Sequence, residues 1–153
     1  MKNNQRNTAS IFDRLNNDLD SESLSNKSLK DFVIRDLLQL LNTTGYHYDA
    51  DVIDNEYSRS VINFGIEPIS GRRVSEINWT QVEENIRLAI RLFEPRIKFD
   101  SLEVECNVDG DITTQYNQMT IEIKGLIRST PYPEKFVLKT SLDVETGSFN
   151  PQN

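Results

Sequence analysis

The residues best suited to specific polar chemistry form a short acidic and basic group in the middle of the chain, Glu94-Pro95-Arg96. Proline lacks an amide N–H and biases the preceding residue toward extended angles, so a helix entering this group should end near Phe93. Proline does not explain the two charges. If Glu94 and Arg96 are both extended, their side chains leave the backbone on the same side. They then form either a surface for a partner or an ion pair that closes on itself at the helix end, and the residues leave both interpretations open.

Residue types that serve metal binding or nucleophilic catalysis are isolated in this sequence. The single histidine, His47, lies in a polar stretch with no cysteine or second histidine to join it, so we predict an exposed loop residue. The single cysteine, Cys106, cannot form an internal disulfide and lies in an alternating segment, which favours a buried, inert thiol. No metal site and no cofactor are expected.

Paired carboxylates are common in a chain with 24 acidic residues and carry little information by themselves. Asp49 and Asp51 lie in a polar context. The second candidate pair is Glu83 and Glu84. Thr80 and Glu83 match a capping box, so Glu83 is predicted to cap a helix. A glycosidase pair would need one carboxyl in an apolar cleft. We therefore predict no catalytic residues and no enzymatic activity.

Net charge and hydropathy exclude other classes of function. The formal net charge is −7 and the basic residues are scattered, which argues against nucleic acid as a partner. No run approaches the roughly 18 apolar residues of a membrane-spanning helix. Residues 1–10 are polar and lack the apolar region of a secretory signal. A cytoplasmic protein without direct membrane insertion is expected.

The sequence divides into a tail and one body. Residues 1–27 are expected to be a flexible segment with a short amphipathic helix at 10–19 and a polar, acidic linker after it. Residues 28–153 fit a single domain. The apolar positions of the short helix are Ile11, Phe12, Leu15 and Leu19.

Two longer helices and three strands are predicted in the body. The first helix begins after a Ser28 cap and stops at "NTTG" (42–45), and the second runs from Thr80 to Phe93. One or two helical turns are predicted within "SVINFG" (60–65). The apolar residues then alternate with period two within 102–108, 119–127 and 134–144, with a connection containing Asp109-Gly110. The fold class is α+β, with helices on one face of a small, mainly antiparallel three-stranded sheet whose two edges are open to pairing.

Several segments together resemble a known family. The segments "SIFDRL", "FVIRDLLQLLNT", "SRSVINFGI", "AIRLFEPRI" and "KTSLDVETG" are similar to the type VI secretion baseplate component TssE, which belongs with the lysozyme-like baseplate wedge proteins of contractile-tailed phages. The resemblance spans residues 10–147. Its most specific elements are Glu-Pro-Arg and Ser-Val-Ile-Asn-Phe-Gly, where Ile62 and Phe64 replace the leucine and tyrosine of the family form.

This resemblance implies a non-enzymatic role in assembly. It implies that the chain joins the other baseplate wedge subunits and nucleates polymerisation of the contractile sheath, whose subunits are further partners. The family's functional signature falls on Glu94, Pro95 and Arg96 as a partner-binding site. The alternatives are a wedge protein of a phage or phage-like particle, a peptidoglycan-degrading enzyme and a generic binding module.

Overall fold

The computed structural model describes residues 29–45, 60–107, 118–129 and 131–152. Some of the predictions concern residues outside these ranges: the flexible segment 1–27 with its helix at 10–19, the Ser28 cap, His47, the pair Asp49 and Asp51, and the Asp109-Gly110 connection.

Two α-helices are present in the described residues, and both follow the predicted apolar period. Helix α1 spans Leu29–Leu41 and ends where "NTTG" begins, and helix α2 spans Trp79–Phe93. Each helix buries one stripe spaced three and four residues apart, which is the pattern of a helix packed on a core. The buried apolar residues are Phe32, Val33, Leu37, Leu40 and Leu41 on α1, and Val82, Ile86, Ala89 and Ile90 on α2.

The predicted capping box at the start of α2 is wrong. The helix begins one residue earlier than Thr80, and the Asn78 side chain accepts a hydrogen bond from the Gln81 N–H at 3.3 Å. Asparagine is among the best N-cap residues, so Asn78 takes the N-cap position that the sequence assigned to Thr80, and it bonds to the Gln81 amide in place of the Glu83 amide. Glu83 is thereby released from the cap, and its carboxylate reaches strand residue Cys106 instead.

The sheet has four strands in the described residues, so the prediction of three is wrong. The strands are β1 (Glu103–Asn107), β2 (Gln118–Ile127), β3 (Glu134–Asp143) and β4 (Ser148–Pro151), all antiparallel in the order β1-β2-β3-β4. Strand β4 has four residues and one buried apolar side chain, Phe149, so period-two alternation cannot reveal it. Its proline suits an edge strand, since proline cannot donate to a ladder.

One face of the sheet forms the core and the two helices cover that face. The strand register lines up Val104, Ile123 and Leu138 in one row across the sheet, and Met119, Leu142 and Phe149 in another. All six are buried, and α2 packs against β1 while α1 packs against β3 and β4. The predicted α+β class with helices on one sheet face is confirmed.

The "SVINFG" segment folds as a single 3₁₀ turn, Val61–Asn63, and is pinned to the end of α1. The Ile66 N–H donates to the Thr43 carbonyl at 2.9 Å, and the Gly45 N–H donates to the Ile66 carbonyl at 2.9 Å. Gly65 has a φ of 131°, and a Cβ on it would lie 2.2 Å from the Thr43 oxygen. Only glycine tolerates both conditions, so this residue fixes the segment beside α1.

Candidate functional site

The Glu-Pro-Arg group forms a tight turn between the end of α2 and the sheet. The Glu94 N–H donates to the Ile90 carbonyl at 2.9 Å as the last helical bond, and the Ile97 N–H donates to the Glu94 carbonyl at 3.2 Å. Pro95 is exposed at the apex, whereas Ile97 is buried in the core. The predicted helix end at Phe93 is confirmed, and the turn fixes where the following charges lie.

The two charges of this turn pair with each other. The Arg96 Nε donates to Glu94 Oε1 at 2.6 Å, its Nη2 donates to Glu94 Oε2, and the Arg96 amide donates to Glu94 Oε1 at 3.2 Å. The guanidinium and the carboxylate thus meet through two parallel bonds, a geometry that lysine cannot reproduce. Glu94 is 5% exposed and Arg96 is 25% exposed. Of the two interpretations left open by the sequence, the internal ion pair is the one present in the isolated chain.

A third charged residue, Asp36, completes the cluster and was missed by sequence reasoning. It lies on α1, and its Oδ2 accepts a hydrogen bond from Arg96 Nη2 at 2.6 Å. Its Oδ1 accepts hydrogen bonds from the neighbouring Arg35 at 2.7 and 3.0 Å. The sequence signal was limited to the "RD" pair inside a family-like helix. We call Asp36, Glu94, Pro95 and Arg96 the corner cluster.

The corner cluster holds a permanent positive charge between two carboxylates. Hydrogen bonding to Glu94, with a smaller contribution from Asp36, raises the pKa of Arg96, while partial burial opposes that rise. Arginine is charged at every physiological pH in any case. The cluster therefore fixes a cation in place, and it provides neither a proton shuttle nor a nucleophile.

The backbone of the corner continues into the sheet. The Arg128 N–H donates to the Arg96 carbonyl at 2.7 Å, and the Lys98 N–H donates to the Leu126 carbonyl at 2.9 Å. Ile97 forms an antiparallel bridge with Ile127 between these two bonds. The corner is thus anchored to the end of β2, so its side chains project from a frame held by both a helix and a strand.

The second family-like segment lies against the corner. The Phe64 and Phe93 rings meet edge to face with centroids 5.4 Å apart, a favoured aromatic arrangement. Just before Phe64, the side chains of Val61 and Ile62 are 89% and 67% exposed. The structure therefore brings together the two segments that contain the most specific elements of the resemblance.

The remaining candidate residues stay apart. Cys106 is half-buried, and desolvation raises the pKa of its thiol to about 12, which agrees with the expected inert role. Glu83 and Glu84 diverge, because Glu84 is exposed while Glu83 bonds to the Cys106 N–H at 2.7 Å. Among the described residues, no three metal-ligating side chains come together. Within the same ranges, the helices are too short or too polar to cross a membrane.

The fold and the corner cluster define a small α+β domain whose distinctive polar site is built for fixed contacts. The family model described as "Baseplate wedge protein gp25" matches residues 27–132, more than half of the 153 residues, and the chain belongs to this family. The matched region includes both helices and the whole corner cluster. Comparison with curated proteins and comparison with solved structures each give no match.

Family membership confirms the resemblance stated from the sequence. It gives the chain a structural role in a baseplate and assembly with other baseplate subunits. The family is one of structural proteins, which agrees with the expectation that the chain is not an enzyme.

Proposed function

We propose that this chain is the TssE-type baseplate wedge component of a type VI secretion system, and that it joins the wedge complex and nucleates polymerisation of the contractile sheath. The support is the family match over residues 27–132 together with the TssE-like segments on either side of it, "SIFDRL" and "KTSLDVETG". In this role the chain is a cytoplasmic protein, with residues 28–153 as its wedge domain and wedge and sheath subunits as its partners.

The observation that carries the proposal is the partly exposed, rigidly held arginine of the corner cluster. Arg96 uses Nε and Nη2 for Glu94 and Asp36, and its Nη1 makes no hydrogen bond within the described residues. Because Glu94 is 5% exposed, it contributes by orienting Arg96. A wedge partner with a carboxylate or carbonyl group would accept the remaining Arg96 hydrogen bonds.

Rigidity makes this site suited to assembly. The Arg96 rotamer is already fixed by two carboxylates, so little side-chain entropy is lost on binding. Pro95 at the exposed apex has a fixed φ and offers an apolar surface beside the cation. The partner-binding role of Glu94, Pro95 and Arg96 is therefore divided: Pro95 and Arg96 touch the partner and Glu94 holds Arg96.

The test is the double variant Glu94→Ala/Arg96→Ala in cells that express a fluorescent sheath subunit. We expect the purified variant to be folded by circular dichroism and extended sheaths to be lost. Lys139→Ala is the matched control, because it also removes an ion-paired cation, but from the solvent-facing side of the sheet. Extended sheaths at normal frequency in the double variant would refute the role of the corner.

A phage or phage-like particle is the nearest alternative, because the family description fits both settings. The genes beside the coding sequence separate the two. Secretion genes for a membrane complex and effectors support the proposal, whereas neighbouring capsid genes would contradict it.

A further inference from the structure

One end of the solvent-facing side of the sheet is basic. Ile97 and Ile127 pair with each other and are buried in the core, so their neighbours in the chain leave the backbone on the opposite side. Lys98 and Arg128 are two such neighbours, and Lys135 precedes a buried residue of β3 in the same way. Arg128 and Lys135 are exposed, and Lys98 is half-buried.

The strand register places these cations around a small apolar centre. The Lys98 N–H donates to the Leu126 carbonyl at 2.9 Å, and Leu126 is paired with Lys135, so the three residues form one row across the sheet. Leu126 is half-buried, and Val137, two residues beyond Lys135 on the same side of β3, is 49% exposed. We call Lys98, Leu126, Arg128, Lys135 and Val137 the basic face.

The three cations of the basic face are not neutralised within the described residues. Their side chains make no ion pair and no hydrogen bond there. Asp100 and Glu134 are close to them in the chain but do not pair with them, and Glu103 lies opposite Lys124 in the next row. The formal net charge of the chain is −7, so this end of the sheet differs in sign from the protein as a whole. The three cations are therefore available to carboxylates of a partner.

An exposed aromatic residue borders the basic face. Tyr132 is 80% exposed and lies between Pro131 and Pro133 in the connection from β2 to β3. The Ser129 hydroxyl donates to the Tyr132 carbonyl and proline has a fixed φ, so the backbone around the ring is restrained. Tyrosine and arginine are enriched at protein–protein interfaces. Tyr132 therefore adds a restrained aromatic contact at the end of the strand that leads into Arg128.

We propose that the basic face binds a short acidic segment of another wedge subunit. This inference rests on the proposed function, in which the chain joins the wedge complex, and it specifies the chemistry of the partner. Carboxylates of the segment meet the three cations, and an apolar side chain between those carboxylates covers Leu126 and Val137. Because the Arg128 amide bonds to the Arg96 carbonyl, this surface continues from the corner cluster onto the sheet.

The charges further along the sheet limit the partner to a short segment. Glu105 and Glu122 are paired with each other two rows beyond Leu126 on the same side. A nucleic acid or an anionic membrane would also bring phosphate groups against these carboxylates, which is unfavourable. A protein segment can end its acidic run where the acidic residues of the sheet begin. The partner is therefore a protein, in agreement with the assembly role of the family.

Charge reversal in the full chain tests the inference. Arg128→Glu/Lys135→Glu is compared with Arg73→Glu/Lys139→Glu, which reverses two exposed cations outside the basic face. The probe is the complex of the other wedge subunits, purified from cells that lack this chain, and biolayer interferometry gives its Kd. We expect the first variant to bind at least about tenfold more weakly and the control to remain within about twofold of the wild type. Circular dichroism checks that both variants are folded.

A charge-conserving variant separates recognition of charge from loss of shape. Arg128→Lys/Lys135→Arg should bind with a Kd close to that of the wild type, and a loss equal to that of the charge-reversed variant would refute recognition by carboxylates. Wild-type binding by the charge-reversed variant would overturn the inference and leave the proposed function intact. If the wild-type chain does not bind the wedge complex at all, the proposed function itself fails.

Two further probes test the class of the partner. Duplex DNA and phosphatidylserine vesicles are offered separately to the wild-type chain and to Arg128→Glu/Lys135→Glu. We expect neither probe to bind. Binding to the wild type that is lost in the variant would assign the basic face to phosphate groups and overturn the inference.

Discussion

The corner cluster and the solvent-facing side of the sheet contain the same kinds of charges in different surroundings. In the corner, Glu94 is 5% exposed and is held by Arg96 through two bonds. On the sheet, Glu122 is 15% exposed and contacts Lys124 at 2.8 Å and Lys139 at 3.5 Å, and the two lysines are 37% and 57% exposed. Similar distances thus occur in a more buried site and in a more exposed one.

This difference decides how much each ion pair matters to the fold. Water screens the sheet charges and solvates any partner left behind, so exposed pairs contribute little to stability. In the corner, the loss of Arg96 leaves a carboxylate that is only 5% exposed in the folded chain and has lost its partner. A distance below 3 Å is therefore not evidence of importance unless burial accompanies it.

The largest effect is expected from removing the corner cation. Arg96→Ala leaves Glu94 buried without its partner and should lower the free energy of unfolding by about 3 kcal/mol. Urea denaturation monitored by Trp79 fluorescence measures the change. Lys139→Ala is the control and should leave the midpoint where it is. Equal midpoints for both variants would show that the corner is as well solvated as the sheet.

A smaller effect is expected when both members of the corner pair are removed. Glu94→Ala/Arg96→Ala leaves no buried carboxylate at position 94, and Asp36 keeps its bonds to Arg35. The double variant should therefore be more stable than Arg96→Ala by about 1 kcal/mol. A double-mutant cycle with Glu94→Ala gives this coupling. If the stability losses of Glu94→Ala and Arg96→Ala simply added up in the double variant, the two residues would not be coupled as a buried ion pair.

Arg96→Lys should cost less again, about 1 kcal/mol, because the charge remains while the two-bond geometry is lost. The same denaturation series measures it. Lysine cannot reproduce the set of bonds that Arg96 makes to Glu94 and Asp36. Sheath formation in cells should therefore be strongly reduced although the free energy of unfolding changes little. A variant that lost as much stability as Arg96→Ala would show that the charge contributes nothing by itself.

The smallest effect belongs to the sheet and should be visible only in acid. The Lys124 hydrogen bond lowers the pKa of Glu122 below its ordinary value of 4.5. A carboxyl group whose pKa is lower in the folded state than in the unfolded state stabilises the fold at a pH above its unfolded-state pKa. That stabilisation is lost as the pH falls through the folded-state pKa. Near neutral pH, Glu122→Gln should therefore be slightly less stable than the wild type, because it lacks this small contribution. Between pH 5 and 3 it should lose less stability than the wild type does. Glu84→Gln, an exposed carboxylate on α2, is the control.

Sequence periodicity predicted the elements that are long enough to show it. Helix α1, helix α2 and the first three strands each present a regular apolar stripe, and Pro95 set the end of α2 on steric grounds. Strand β4 was missed because its single apolar residue, Phe149, cannot define a period. Its place depends on Asn42, whose side chain bonds to it from 107 positions away.

The corner cluster was predicted in part, and the contacts that the sequence did not predict join residues far apart in the chain. Glu94 and Arg96 were singled out by their charges around a proline, but the sequence alone left open whether they pair with each other or face a partner. Asp36 lies 60 positions from Arg96 and looks like an ordinary helix-surface residue. Glu83 matched a capping motif locally and was used elsewhere, because Asn78 had already satisfied the helix start. Only the tertiary fold decides among such local options.

The pair of backbone bonds that joins the corner to β2 has a mechanical consequence. The Arg96 carbonyl and the Lys98 amide are held on either side of the Ile97 bridge, so the short segment is fastened to the strand at two points. A force along this segment loads both hydrogen bonds at once, in shear, so they do not break one after the other. Such a joint passes force from the exposed apex of the corner into the sheet through both bonds.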